Sequence, residues 1–249
     1  MVSSPKPLAQ RIALVTGASR GIGHATALAL GTAGAHVIAV ARTVGGLEEL
    51  DDAIRAAGST ATLVPLDLKD SPGIDRLAAA VSQRYGRLDI MVANAGILGP
   101  LSPIDHVPPD DWDQIIAVNL TANYRLTRAF ADLLKKSDAG RVVYISSVIA
   151  TLGTAYWGPY AMSKAALEVL ARTFAAETAT TSVRVNVMAP AQVRTRMLAT
   201  AQPGLDMSNV EKPDVVAEKI VELCLPTMTE TGKYYDFPAR KLVEFRRPG

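Results

Sequence analysis

The sequence predicts an α/β fold: a doubly wound parallel sheet of about seven strands with helices on both faces, in a single domain over residues 1–249. Three observations predict it. Short apolar runs alternate with longer Ala- and Leu-rich segments at a spacing that suits βαβ units. Those runs are apolar without alternation, as strands buried on both faces are. No Pro/Gly/Ser-rich linker or charge block interrupts the 249 residues, which are enough to bury a substantial core.

Taken in order, residues 1–10 read as a loose lead-in. The first strand is expected at 12–16, where Ile-Ala-Leu-Val-Thr runs into Gly17, and the first helix at 21–33 leaves that glycine turn. A strand at 36–41, a helix at 45–57 and a strand at 61–66 ending in Asp67 follow. The next helix covers 71–85, and a strand at 88–93 leads into Asn94-Ala95-Gly96. One long helix at 110–135 precedes a strand at 141–146, and a second at 158–179 precedes a strand at 183–188. Pro213 suits the first position of a last helix at 213–224, and a short final strand is expected at 233–237.

Ligands of such a sheet sit at the carboxyl ends of its strands, so the residues after each strand carry the functional reading. After the first strand come Gly17, Ser19, Arg20, Gly21, Ile22 and Gly23, spaced Thr-Gly-x-x-x-Gly-x-Gly. At a strand-to-helix junction this pattern predicts a Rossmann-type nucleotide site, with a pyrophosphate at the positive end of the helix. No acidic residue ends the second strand; Arg42 stands there instead. Arg20 and Arg42 can pair with a 2′-phosphate, which favours NADP(H) over NAD; the weaker alternative is that both are solvated loop cations. Asp67, beside Leu68, can accept a hydrogen bond from an adenine amino group or cap the next helix. Asn94, Ala95 and Gly96 lie where backbone passes close to a cofactor, and Asn94 can also serve as a plain turn residue.

The chemistry is expected after the fifth strand. Ser147 ends the run Val-Val-Tyr-Ile-Ser-Ser, and Tyr160 and Lys164 stand at i and i+4 on one helix face. A phenol near pKa 10 is a weak acid-base group at neutral pH, and a neighbouring ammonium, together with the positive nicotinamide of an oxidised cofactor, is expected to lower that value. Lowering it by about three units requires roughly 4 kcal/mol. Alone, a tyrosine with a lysine one turn later is usually a half-exposed surface pair.

The chain resembles the short-chain dehydrogenase/reductases, in their short single-domain branch, over nearly its whole length. The resemblance rests on Thr16 to Gly23, Asn94-Ala95-Gly96, Asn119 in Val-Asn-Leu, Ser147, Tyr160-Ala161-Met162-Ser163-Lys164, and Asn186 to Pro190 with Thr195. It implies a catalytic set of Asn119, Ser147, Tyr160 and Lys164. Tyr160 would exchange a proton with the substrate oxygen while hydride moves to or from the nicotinamide. Ser147 would orient that oxygen, Lys164 would hold the ribose and tune Tyr160, and Asn119 would help place a water. Pro190, Val193 and Thr195 take the place of the family's contacts to the carboxamide and phosphates. Ala93 and Ala191 depart from the usual asparagine and glycine, and the tail from Phe237 to Lys241 replaces the usual Asp-Gly-Gly ending.

The substrate wall is expected from Ile97 and Leu98, from Ile149, Leu152, Tyr156 and Trp157, and from Met197, Leu198, Leu205 and Met207. Any one of these can instead simply pack under a loop. The segment 196–212, with Pro203-Gly204, reads as a mobile lid, and Arg194 and Arg196 can meet an acidic substrate group but read better as solvated loop arginines. An apolar wall favours a ketone, aldehyde or secondary alcohol with hydrophobic substituents. The net charge of +2, with both signs interspersed, argues against nucleic acid. The first ten residues carry no signal-peptide core and no stretch reads as a membrane span, so a soluble, cytoplasmic protein is expected. His24, His36 and His106 are scattered, so no metal is expected. Cys224, the single cysteine, sits among apolar residues and reads as a small hydrophobe. Apolar stripes on the two long helices suggest a homodimer or homotetramer.

The expected activity is that of an NADPH-dependent carbonyl reductase, running in reverse as an alcohol dehydrogenase. A cofactor-binding sensor or scaffold with little turnover and an NAD-dependent alcohol dehydrogenase are the alternatives, and an epimerase or dehydratase is a weaker rival. A sensor has no need of Asn119, Ser147, Tyr160 and Lys164 together.

Overall fold

A computed structural model describes residues 6–245 of the chain. Its sheet has eight strands: β1 (Ile12–Thr16), β2 (His36–Ala41), β3 (Ala61–Pro65), β4 (Ile90–Ala93), β5 (Arg141–Ile145), β6 (Arg184–Ala189), β7 (Lys233–Asp236) and β8 (Lys241–Glu244). They lie in the order β3-β2-β1-β4-β5-β6-β7-β8. All neighbours from β3 to β7 are parallel, and β7 pairs with β8 antiparallel, from Lys233 opposite Glu244 to Asp236 opposite Lys241. The expectation of about seven strands is therefore corrected to eight. The eighth was hidden because its turn holds no glycine: Arg240 takes φ +53° instead, and the Asp236 carboxylate accepts the Ala239 N–H at 3.1 Å.

The helices are α1 (Gly21–Thr32), α2 (Val44–Ala56), α3 (Ser71–Tyr85), α4 (Pro109–Ile116), α5 (Ala122–Lys135), α6 (Gly158–Glu177), α7 (Arg196–Ala201) and α8 (Pro213–Cys224). Alternate strand residues feed two cores. On one face Ala13, Val15, Val37, Ala39 and Val92 meet α1, α2 and α8 through Leu30, Leu50, Ile54 and Ile220. On the other, Leu14, Ile38, Val40, Met91 and Tyr144 meet α3, α5 and α6 through Ile74, Leu126, Phe130 and Leu167. Cys224 is buried in the first core, as expected, and burial pushes its thiol up to about 12.

Two other expectations change. The long helix expected at 110–135 is interrupted by a π turn at Ala117–Thr121. Buried positions continue through it at helical spacing, from Ile115 through Asn119, Ala122 and Leu126, so periodicity carried no sign of the break. The lead-in is anchored in its described part: Leu8 is fully buried and donates its N–H to the Ala33 carbonyl at 2.9 Å, while residues 1–5 lie outside the described residues. Among the described residues no helix is long and apolar enough to cross a membrane.

Candidate active site

Strand order reverses between β1 and its neighbours β2 and β4, and the cavity opens at that switch point, beyond the carboxyl ends of the strands. It has a volume of about 990 Å³. Gly17 at φ +66° and Gly21 at φ +59° turn the chain out of β1 in a conformation that other residues rarely adopt. A Cβ at Gly23 would stand 2.3 Å from the Gly17 carbonyl oxygen, so α1 can start this close to the turn only with glycine there. No side chain caps the start of α1 and no acidic residue lies in its first turn. Its leading amides are thus left to an anionic group, and the turn fits a pyrophosphate.

Asn94 is a brace as well as a lining residue. Its side-chain amide donates to the Thr16 carbonyl at 2.9 Å, while the Asn94 and Ala95 N–H groups donate to the Thr16 hydroxyl at 3.0 Å each. Together they tie the end of β4 to the end of β1. Ser19, Arg20, Ile22, Arg42, Asp67, Leu68, Ala95 and Gly96 also line the cavity. Arg20 and Arg42 are exposed, and among the described residues neither joins an ion pair. The helix-capping alternative for Asp67 does not hold. Asp70 caps α3 by accepting the Gly73 N–H at 3.0 Å, whereas Asp67 accepts the Lys69 N–H and faces the cavity.

At the other end of the cavity stand Ser147, Tyr160 and Lys164. Ser147 leaves β5 and opens the short 3-10 turn Val148–Thr151, accepting the Ile149 N–H at 3.4 Å. Tyr160 and Lys164 lie on one face of α6, both buried, with the ammonium 5.8 Å from the phenol ring centroid. Lys164 Nζ donates to the Ile145 carbonyl at 2.7 Å. Asn119 does not reach the cavity: its amide bonds Ile97 N–H at 2.8 Å and Ile97 carbonyl at 2.9 Å, and donates to Ser163 Oγ at 3.0 Å. It fixes the segment after β4 against α6.

The expected lowering of the phenol drew on an oxidised nicotinamide as well as the ammonium, and the chain's own groups do not produce it. Burial pushes Tyr160 up to about 12, opposed by an interaction with the Ser147 hydroxyl, and brings Lys164 down to about 8, opposed by the charge of Glu168. Desolvation outweighs the Ser147 interaction, so the chain's own groups leave Tyr160 protonated at neutral pH.

Pro190, Val193 and Thr195 line the same cavity, together with Ala191. Thr195 caps α7 by accepting the Leu198 N–H at 3.2 Å, and its methyl would face a Cβ placed on Gly21 at 3.3 Å. Of the expected substrate wall, Ile97, Leu98, Ile149, Trp157, Met197 and Leu198 are lining residues. Leu152 and Tyr156 stand outside on the rim, and Leu205 and Met207 are half-buried away from the cavity.

Residues 11–206 match the family model described as short chain dehydrogenase. The chain belongs to the short chain dehydrogenase family. It is 36% identical over 239 residues to the uncharacterized oxidoreductase YciK of Escherichia coli strain K12, covering 94% of each chain. It is 36% identical over 187 residues to the 3-oxoacyl-acyl-carrier-protein reductase FabG of Salmonella typhimurium, covering 75% of each. Among solved structures, it is similar to a short chain dehydrogenase from Escherichia coli CFT073 complexed with NADPH, with a TM-score of 0.88, 35% identity, and 93% and 98% of the two chains covered.

Sequence reasoning missed several features of this site. Thr16 and Ser163 stand inside the motifs, but their bonds to Asn94 and Asn119 span 78 and 44 residues of chain, so the sequence did not show these partnerships. Glu168, one turn after Lys164, is buried and accepts the Ser146 hydroxyl at 2.6 Å. A carboxylate on the buried face of a long helix is the signal that could have found it.

Proposed function

We propose that the chain is an NADPH-dependent oxidoreductase that moves hydride between the nicotinamide and a carbonyl or secondary alcohol. The observation that carries this reading is that Ser147, Tyr160 and Lys164 line the same cavity as the glycine turn and the uncapped start of α1. Gly17, Ser19, Gly21, Ile22 and Gly23 would hold the pyrophosphate. Arg20 and Arg42 would take the 2′-phosphate, and Asp67, Leu68, Asn94, Ala95 and Gly96 would flank the adenosine and ribose. Pro190, Val193 and Thr195 would bound the nicotinamide end. The relative complexed with NADPH supports that choice of cofactor. When bound, the cofactor supplies the hydride.

The protein's own part is proton delivery and orientation. Tyr160, held protonated by burial, donates its proton to the carbonyl oxygen as the carbon accepts hydride, giving the alcohol. Ser147 offers a second donor to the same oxygen, stabilising charge as it develops there. Lys164, fixed by the Ile145 carbonyl, presents a cation beside the phenol. Asn119 acts as a positioning residue through Ile97 and Ser163.

The domain is read as one unit over residues 1–249, with 196–212 as its lid. Support for the lid is its closed base: Val193 bridges Glu211, Arg194 N–H donates to the Glu211 carbonyl at 2.8 Å, and Arg240 from the last hairpin pairs with the Glu211 carboxylate. Half-exposed Tyr124 on α5 and Val169 on α6 support a homodimer or homotetramer, which sedimentation would test.

The deciding experiment follows nicotinamide absorbance with NADPH, then NADH, across ketones, aldehydes and diketones, beside Tyr160→Phe. Turnover that prefers NADPH and collapses in the variant is expected. A preference for NADH would remove the roles of Arg20 and Arg42. Tight NADPH binding without turnover of any compound would favour a sensor.

A further inference from the structure

The two segments that wall the substrate end of the cavity also touch each other outside it. Ser102 N–H donates to the Tyr156 carbonyl at 3.1 Å. Gly158 lies so close to Ile104 that a Cβ there would stand 2.7 Å from the Ile104 δ-methyl and 3.6 Å from the Met162 ε-methyl. This seam joins Ile104, Tyr156 and Met162 on an outer edge, with Leu152 on the same loop as Tyr156. Ile104, Tyr156 and Leu152 are 57%, 58% and 64% exposed, high values for large apolar side chains.

Tyr156 also holds φ +72°, in the left-handed region. A bulky residue persists there only where its surroundings fix it, and such positions cluster at ligand clamps. The rim is continuous with the cavity: Ile149 and Trp157, which line the cavity, lie on the loop that carries Leu152 and Tyr156, and the Trp157 ring meets Tyr160 edge-on at 6.1 Å. A substituent leaving the reacting carbon at Tyr160 thus has an apolar wall to follow and an apolar edge to leave across.

We infer that the substrate of this site is a ketone or secondary alcohol with one extended apolar chain, which leaves the cavity past Ile149 and Trp157 and lies over the rim formed by Ile104, Leu152 and Tyr156. The inference rests on the oxidoreductase reading and adds what determines chain-length preference. The occupant is substrate because the rim continues the cavity wall beside the proton donor.

The test is kcat/KM with NADPH for straight-chain methyl ketones from butanone to 2-decanone, in the wild type and in Ile104→Ser with Leu152→Ser. In the wild type kcat/KM should climb about two- to fourfold for each added methylene that the rim covers. In the double variant the climb should stop at a shorter chain, with the butanone rate unchanged. Identical chain-length profiles in the two proteins would overturn the inference while leaving the reductase intact. If no ketone turns over, the reductase reading fails, and calorimetric binding of 2-decanone to the NADP-saturated protein still decides the rim: weaker binding in the double variant supports it, and equal binding overturns it. A double variant whose sedimentation changes while its chain-length profile does not would give the rim to a second copy of the chain and overturn the inference.

Discussion

The two ends of the sheet use their polar groups in opposite ways. At the amino end of the strands, Asp89 is fully buried just before β4, and both of its oxygens are consumed. It accepts Arg11 at 3.2 Å, Arg87 at 3.0 Å, the Ser137 hydroxyl at 2.6 Å and the Ile12 N–H at 2.8 Å. Nearby, buried Arg141 donates to the carbonyls of Gly140, Ser182, Leu225 and Pro226. At the carboxyl end, α1 starts without a cap, Arg20 and Arg42 have no acidic partner among the described residues, and the protonated phenol of Tyr160 faces a cavity. One end spends its charges on holding strands together, and the other leaves them for a ligand. Substitutions at the two ends should therefore separate stability from activity.

The largest effect is expected at Tyr160→Phe, which should lower kcat by about 10²–10⁴-fold while leaving the melting midpoint nearly unchanged. A comparable loss of stability would mean that Tyr160 belongs with the structural end. The mirror case is Asp89→Ala. It leaves the Ile12 N–H and the Ser137 hydroxyl without their acceptor and should cost about 1–3 kcal/mol for each in denaturant unfolding, with kcat of the folded protein retained. A large fall in kcat there would break the division between the ends.

Smaller effects sharpen the comparison. Arg20→Ala and Arg42→Ala should each weaken NADPH binding by about tenfold, the low end for a charge-assisted hydrogen bond, with NADH binding and thermal stability unchanged. Equal losses for both cofactors would assign the arginines to the pyrophosphate instead. The smallest effect is on pH. Lys164 sits near 8, below its ordinary 10.5, because burial disfavours its charge. As pH rises through about 8 the free enzyme loses that charge, so kcat/KM for reduction should fall. Stability moves the other way: between about 8 and 10.5 the unfolded chain binds the extra proton, so this group's penalty fades as pH rises. Reduction unchanged through this window would show that the Lys164 charge is not needed.

Much of the ligand-facing end was legible in the sequence because its residues act locally. Gly17, Gly21 and Gly23 are forced by the turn they make, and Tyr160 and Lys164 share a helix face at fixed spacing. The strand boundaries at 12–16 and 36–41 were equally plain, since continuous apolar runs end at glycine, alanine or charge. The structural end was not legible. Asp89, Arg11 and Ser137 meet only after the sheet assembles, across 78 and 48 residues of chain. The upward push of burial on Tyr160 was missed for a related reason: sequence shows which charges are near neighbours on a helix, but burial is a property of the whole fold.

The π turn at Ala117–Thr121 carries a consequence for how this helix tolerates insertions and deletions. A π turn holds one residue more than the α-helical path it replaces, so deleting a residue there can restore an ordinary helix without displacing the later turns. Loss of Val118 should leave Leu126 and Phe130 seated on the sheet while turning Asn119 away from Ile97. The same deletion a turn or more into α5 would rotate every later side chain by about 100° and unseat that face. The helix therefore keeps the anchoring of its fold and the aiming of its site in separate registers, and one residue can be lost from the second without disturbing the first.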